Sequence, residues 1–327
     1  MTHFTQRIYN APPLAAWVPL LFVELSKNEI GDLMGIDLHT HTTASDGSFT
    51  PREVVELAKN QGLRAVGITD HDTLSGHAEA LQAGAELGVE IVPGIELSVQ
   101  NEGGEKFHLL GYYVASDSLL ARELEALQRE RAARNAVILE KLAHLGAPIS
   151  MERVLEIARG GVVGRPHLAR ALVEAGHAGD VQDAFNRFLA DGALASASKA
   201  VLTPARAVEL IHQAGGVAVW AHPTRPPSKR AGETNFDELE RQLQAWLEIG
   251  LDGLEIYYSQ FREDEAQWTA QMAQKYALLG TGGSDFHGES KPDIQIGKVH
   301  TGRAVPDEVL GALKLKKRGS QPEIHEK

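Results

Sequence analysis

From Met34 onward, short apolar runs alternate with amphipathic helical patterns. Residues 36–38, 64–69, 89–93, 106–114, 217–221, 253–258 and 278–282 read as strands. Between them, residues 51–61, 75–87, 203–214, 236–249 and 263–276 carry helical spacing. Thr50-Pro51 and Thr203-Pro204 each put a capping side chain before a proline at the first helical position. Strand–helix alternation of this kind makes an α/β fold with a mainly parallel sheet, open or closed into a barrel. From about residue 116 to 193 the rhythm breaks. That stretch has helical patterns with caps and glycine stops, and residues 119–145 form a long, charged, regularly spaced run. It reads as a helical insertion, residues 119–193, between two halves of an α/β domain, 34–118 and 194–327. Most of its charge reads as a solvated face.

The apolar stretch at residues 13–25 is interrupted by Pro19 and ended by Glu24-Leu25, which is short of the roughly 20 residues a membrane span needs. It has neither a basic segment before it nor a small-residue cleavage site after it, so it does not read as a signal peptide. Residues 1–33 are set apart as an extension outside the core, because Met34 directly precedes the first strand pattern. The whole chain has 327 residues, a formal charge of −12, 14 histidines and no cysteine. The lack of cysteine excludes disulfides, thiol catalysis and thiolate-held metals, and with the absence of a targeting signal points to the cytoplasm. The acidity argues against stable duplex DNA binding.

The histidines then change the picture. His39 and His41 lie two residues apart in Asp37-Leu38-His39-Thr40-His41, so both point to one face of a strand end. Asp46 follows closely, and a second apolar strand runs out into Asp70-His71-Asp72. Glu96 sits inside an apolar run, where an unpaired carboxylate is costly, and His108 lies among apolar strand neighbours. His222 ends another strand pattern, and Asp285-Phe286-His287 follows a further one. Nitrogen and oxygen donors without thiolate suit Mn²⁺, Fe²⁺ or Zn²⁺, and their number exceeds what one ion needs. His77, His144, His177 and His212 fall on helical patterns and read as surface or packing residues.

The series DLHTHTTASDG, ITDHDT, PGIEL, HLLGY, AHP and GSDFH resembles the polymerase-and-histidinol-phosphatase (PHP) family, in family order from Met34 to about Val305. The resemblance implies a distorted (β/α)₇ barrel holding three divalent metal ions at the C-terminal ends of its strands. It assigns His39, His41, Glu96 and Asp285 to the first ion. Glu96 bridges to a second ion held by His108 and His222, and Asp46, His71 and His287 hold the third. Asp37, Asp70 and Asp72 become partners that orient the imidazoles.

Within the insertion, Val163-Gly164-Arg165-Pro166-His167 is a glycine turn into a helix, a setting suited to anions. An insertion with this motif resembles the subgroup that removes 5′-phosphates from nucleotides. There the preferred substrate is a nucleoside 3′,5′-bisphosphate, and relatives act as 5′→3′ exonucleases on short RNA. The resemblance gives Arg165 and His167 the catalytic grip on the phosphate, with Arg225 and Ser259 as further substrate contacts. Ser259 lies in a loop, 257–261, that lacks a proline often found in close relatives. The implied reaction is in-line attack on phosphorus by hydroxide made from water bridging two metals. A small nucleotide or short single-stranded RNA is the expected partner, with no membrane. Histidinol-phosphate phosphatase is the competing enzyme within the fold. An amidohydrolase fits less well, because its usual bridging lysine gives way here to a glutamate. A non-catalytic domain using metals only for structure is the remaining alternative.

Overall fold

The computed structural model describes residues 35–158, 160–197, 201–226 and 234–319. The extension at residues 1–33 lies outside them. Strands β1 (Ile36–Thr40), β2 (Ala65–Ile68), β3 (Glu90–Gln100), β4 (Lys106–Tyr112), β5 (Val217–Trp220), β6 (Gly253–Tyr258) and β7 (Leu279–Gly283) form one seven-stranded sheet in sequence order. Its two edges meet through a bridge between Thr40 and Phe286 and hydrogen bonds from Asp285 N to His39 O (2.8 Å) and His41 N to Phe286 O (2.9 Å). The sheet is thus nearly closed into a barrel.

One strand runs against the others. β4 is antiparallel to both β3 and β5, while the remaining neighbours are parallel. Only residues 101–105 separate β3 from β4, too few for the crossover that a parallel pair requires. β3 also runs beyond the pattern ending at Pro93. Its pairing with β2 stops at Ile68–Pro93, and from Gly94 to Gln100 it pairs with β4 instead. The proline marks a change of partner rather than the end of the strand.

Helices α1 (Pro51–Asn60) and α2 (His77–Leu87) precede this hairpin. After it come α3 (Leu119–His144), α4 (Met151–Ala158), α5 (Arg165–Glu174) and α6 (Val181–Ala184), the last running into a π-helical turn, Phe185–Leu189. The barrel then resumes with α7 (Pro204–Gln213), α8 (Phe236–Glu248), α9 (Glu263–Lys275) and α10 (Asp307–Gly319). α1 starts on a reciprocal cap: Thr50 Oγ1 accepts from Glu53 N, and the Glu53 carboxylate accepts from Thr50 N at 2.7 Å. Among the described residues, no helix is long and apolar enough to cross a membrane.

Alternation along β1 separates packing from chemistry. Ile36 and Leu38 join an apolar cluster with Val309, Leu310 and Leu313 of α10, which leaves Asp37, His39 and His41 for the opposite face. Helices α3 to α6 have a core of their own, built on Ile138, Leu142, Val154, Leu168, Leu172 and Phe188. This segment meets the barrel at the turn before α5. A Cβ on Gly161 would lie 2.2 Å from Thr43 O, and Val162 N donates to Ala44 O at 3.1 Å. Only glycine lets the turn approach the loop after β1 so closely.

Candidate metal centre

Donor atoms converge at the mouth of the barrel around the carboxylate of Glu96. Its Oε2 lies 3.3 Å from His39 Nε2, 3.1 Å from His41 Nε2 and 3.2 Å from His71 Nδ1. Its Oε1 lies 2.8 Å from His108 Nδ1 and 2.9 Å from His222 Nε2. Asp285 Oδ1 is 3.2 Å from His41 Nε2, and Asp46 Oδ1 is 3.4 Å from His287 Nε2. Three overlapping groups have donor atoms within 4.8 Å of one another: His39, His41, Glu96 and Asp285; His71, Glu96 and His108; and His41, Asp46, His71 and His287. All nine ligand candidates read from the sequence therefore meet in one place. His108 reaches it from the N-terminal end of its strand, not the C-terminal end, because β4 runs in the opposite direction.

Local backbone geometry aims these side chains. Asp72, His222 and Asp285 adopt φ of 52°, 27° and 59°, in the left-handed region that residues with a Cβ seldom enter. Gly283 lets β7 pass close to β1, since a Cβ there would stand 2.3 Å from His39 N. Asp37, Asp70 and Asp72, expected to orient imidazoles, hold the loops instead. Asp37 accepts from His39 N (3.2 Å), Ser284 N (2.9 Å) and Gly297 N (2.7 Å). Asp70 accepts from Thr42 N (2.7 Å) and from the hydroxyls of Thr42 and Ser45. Asp72 accepts from Ser98 N (2.9 Å) and pairs with Arg131 of α3.

The carboxylate that does orient an imidazole is Glu255 on β6, which is fully buried. Its Oε1 is 2.9 Å from His39 Nδ1 and its Oε2 accepts from His222 N at 2.7 Å. The sequence reading passed over it, although Gly253-Leu254-Glu255-Ile256 shows the same lone acid in an apolar run as Glu96. Tyr258 and Lys291 were also missed. Asp285 Oδ2 accepts from Tyr258 Oη at 2.9 Å and from Lys291 Nζ at 2.6 Å, which leaves Oδ1 facing the imidazoles.

Charge in the cluster is mutually supported. Burial opposes ionisation of Glu96, yet the imidazoles of His108, His71 and His39 hold its carboxyl well below the usual range. Asp46 and Asp285 are held down in the same way against burial, Asp46 by His287 and His71, Asp285 by Lys291 and His287. Burial pushes His71 down to about 3, whereas the carboxylates beside His41 overcome burial and raise it to about 9. Nε2 of His39, both ring nitrogens of His41 and Nδ1 of His71 are buried without a hydrogen-bond partner. Buried polar nitrogens left this way are costly, and divalent cations among these nitrogen and oxygen donors would satisfy them. The residues present thus fit divalent metal ions.

A cleft of about 250 Å³ opens beside the cluster. Asp46, His71 and His108 line one side, and Arg131, Arg134, Arg165 and His167 of the helical segment line the other. Arg165 Nη1 donates to Leu189 O (3.0 Å) and Asp191 Oδ1 (2.9 Å), which fixes the guanidinium. His167 Nδ1 accepts from Gly164 N at 3.0 Å, so the proton of the neutral ring resides on Nε2. Burial lowers the His167 pKa and favours that neutral form. Arg225 and Ser259 do not line this cleft. Arg225 is drawn away by an ion pair to buried Glu265 (2.8 Å) and a bond to Gln260 O (3.1 Å), and Ser259 Oγ is buried without a partner.

Comparison with known proteins gives the same picture. A PHP domain model matches residues 37–145. The chain is 34% identical over 267 residues to the 5′-3′ exoribonuclease Rnm of Escherichia coli, covering 80% of this chain and 88% of that protein. It is 31% identical over 273 residues to the 3′,5′-nucleoside bisphosphate phosphatase of Chromobacterium violaceum, covering 80% and 91%. A solved Bifidobacterium adolescentis structure, assigned as a metal-dependent phosphoesterase, superimposes with a TM-score of 0.76 at 30% identity over 86% of this chain and 96% of that one. With these relatives, and with its motifs gathered at the mouth of one seven-stranded barrel, the chain belongs to the PHP family.

Proposed function

We propose that this protein is a metal-dependent phosphoesterase that hydrolyses the 5′-phosphate of a small nucleotide, with a nucleoside 3′,5′-bisphosphate as its preferred substrate. One observation carries the reading: the cleft has a metal-binding wall of imidazoles and carboxylates and a facing wall of cationic side chains. In this reading three divalent ions, Mn, Fe or Zn, are held by His39, His41, Glu96 and Asp285; by Glu96, His108 and His222; and by Asp46, His71 and His287. Such ions, when bound, polarise a phosphoryl oxygen and acidify water to near neutral pH. Residues 34–118 and 194–327 form the barrel, and the insertion, 119–193, supplies the substrate wall.

The chain's own residues prepare the reaction. Glu255 accepts from His39 Nδ1, so the Nε2 lone pair points into the cluster. Tyr258 and Lys291 hold Asp285 Oδ2 and turn Oδ1 toward the imidazoles. Arg165 and the Nε2–H of His167 grip the phosphate and offset the charge that develops on its equatorial oxygens. No serine or cysteine nucleophile is needed. The compartment we propose is the cytoplasm, in keeping with a nucleotide substrate and a chain free of cysteine.

A second reading, 5′→3′ exonuclease on short RNA, is favoured by the likeness to the Escherichia coli exoribonuclease. Turnover with Mn²⁺ of adenosine 3′,5′-bisphosphate, AMP, histidinol phosphate and a short 5′-phosphorylated RNA decides between them. We expect the bisphosphate to be fastest. RNA as the best substrate would establish the exonuclease, and a preference for histidinol phosphate would overturn the nucleotide assignment. Activity that survived exhaustive chelation would overturn the metal requirement.

A further inference from the structure

Arg225, which the sequence offers as a substrate contact, lies instead at the end of a tight turn that begins with His222. Arg225 N donates to His222 O at 2.8 Å, which closes the turn His222-Pro223-Thr224-Arg225. The imidazole of the same histidine reaches the same residue, with its Nδ1 3.2 Å from Arg225 O. A carbonyl oxygen only accepts, so the proton of the neutral ring sits on Nδ1 and the lone pair on Nε2. That Nε2 stands 2.9 Å from Glu96 Oε1 and 3.4 Å from His108 Nδ1, the donors expected to share the second ion with it. His222 itself has a φ of 27°, a strained conformation that its surroundings must hold. Glu255 holds its backbone N–H, and the Arg225 carbonyl holds its ring.

The Arg225 side chain ties this turn to the rest of the barrel. Prolines at 223 and 226 remove two backbone donors from the turn and its exit. The guanidinium crosses to α9 and to the loop after β6. Its Nη2 donates to Glu265 Oε2 at 2.8 Å and to Gln260 O at 3.1 Å, and its Nε is buried. Glu265 is fully buried in the first turn of α9, where a carboxylate is ordinarily paired. Other groups hold it there as well. Its Oε2 accepts from Arg262 N at 2.8 Å, and its Oε1 accepts from Thr234 Oγ1 at 3.0 Å and lies 3.2 Å from Arg262 Nη1. The contacts thus form one chain, from Glu265 through the Arg225 guanidinium and carbonyl to His222 Nδ1. We propose that the buried Glu265–Arg225 ion pair positions the metal centre, by fixing the carbonyl that sets the tautomer and the aim of His222. Both residues act through the imidazole, and neither contributes a ligand atom. The inference rests on the metal reading above, in which Glu96, His108 and His222 hold the second ion, and adds the pair that orients one of them.

The test measures Mn²⁺ binding to the metal-depleted full chain, by calorimetric titration and by elemental analysis after dialysis. Arg225→Met removes the guanidinium while Glu265 keeps its bonds from Arg262 and Thr234, so the fold should stand, and denaturant unfolding checks this. Its affinity for one equivalent of Mn²⁺ should fall on the order of 10- to 100-fold, the range typical of a group that orients a ligand. Glu265→Gln should cause a loss of similar size. Arg225→Lys, whose ammonium can still meet Glu265, should recover part of it. A role through His222 has a further signature: in a His222→Ala background, Arg225→Met should bring no additional loss of Mn²⁺ binding. A further loss as large as in the wild-type background would overturn the inference, because the pair would then act on the fold at large. Unchanged Mn²⁺ affinity in folded Arg225→Met would overturn it too, since the turn alone would then aim the ring. Both comparisons use Arg225→Met, so they stand even if Glu265→Gln does not fold. Wild type that bound no Mn²⁺ would overturn the metal reading itself, and the inference with it.

Discussion

At the mouth of the barrel, the candidate ligands are held by buried hydrogen bonds. Asp37 and Asp70 clamp the loops after β1 and β7, and Glu255 ties His39 to the backbone of His222. Across the cleft, α3 to α6 are held by aliphatic packing, and their cationic side chains stand on the first turn of α5 and one face of α3. The two walls are thus fixed by different physics. Metal coordination tolerates little positional error, and directional hydrogen bonds specify position better than apolar contacts do. Phosphate recognition needs charge at the right distance, and a wall with its own core can present it while leaving the metal-binding wall undisturbed. In the function proposed above, the chemistry belongs to the barrel and the choice of substrate to the helical segment.

The largest effect should come from the shared carboxylate. Glu96→Gln should lower kcat/KM at least about 1000-fold on every substrate, since an amide at the centre of the cluster weakens ion binding from several sides at once. Metal content by elemental analysis should fall with it. Retained activity on one substrate alone would break the division of labour, because the barrel would then take part in choosing substrates.

Next in size is a cavity in the opposite wall. Leu172 is fully buried in the core of the helical segment, so Leu172→Ala should cost about 2–5 kcal/mol. If that core is separate, hydrogen exchange should quicken in α4 and α5 while strand amides keep their protection. Equal loss of protection in β1 and β7 would show that the two walls unfold as one unit.

Glu255→Gln should have a smaller effect, about 10- to 100-fold in metal affinity or activity, typical of a group that orients a ligand. A glutamine can present its oxygen to His39 Nδ1 or to His222 N, but its amide nitrogen then meets the other donor. A metal titration followed by activity checks this, and an unchanged requirement would show that His39 is oriented by packing alone.

The parts legible in the sequence were those with local periodicity or local chemical oddity. Strand alternation placed His39 and His41 on one face, and a lone acid in an apolar run marked Glu96. The same signal marks Glu255. Lys291 gives no such signal. It lies in a loop, and its tie to Asp285, six residues back, depends on the course of the irregular turn after β7, which no periodicity marks. The reversal of β4 follows from the five-residue connection before it, yet the length of β3 was hidden by Pro93. The pairing of Arg225 was hidden for a related reason. Its motif neighbours are local, but the buried Glu265 that captures it lies on α9, forty residues away in the chain.

The smallest effect concerns pH, and it too separates the walls. His77, at the start of α2, reads in the sequence as a surface or packing residue, and the structure has it packed: it is buried, and its Nε2 donates to Gly94 O at 2.6 Å, close to Glu96 on β3. Burial lowers its pKa below the ordinary value, so the folded state holds it neutral. As pH falls through about 6.5, the unfolded chain takes up the proton first, and the stability this residue contributes is lost from there downward. His77→Gln should cost about 1 kcal/mol near pH 8, the worth of one hydrogen bond, and the gap between wild type and variant should narrow toward pH 5. The other histidines are common to both proteins and cancel in the difference. Denaturant unfolding of the two proteins across this range reads the gap directly. A gap that stayed constant or widened in acid would mean that His77 is charged in the folded protein. The loss of stability in acid would then have to come from another buried group of the barrel.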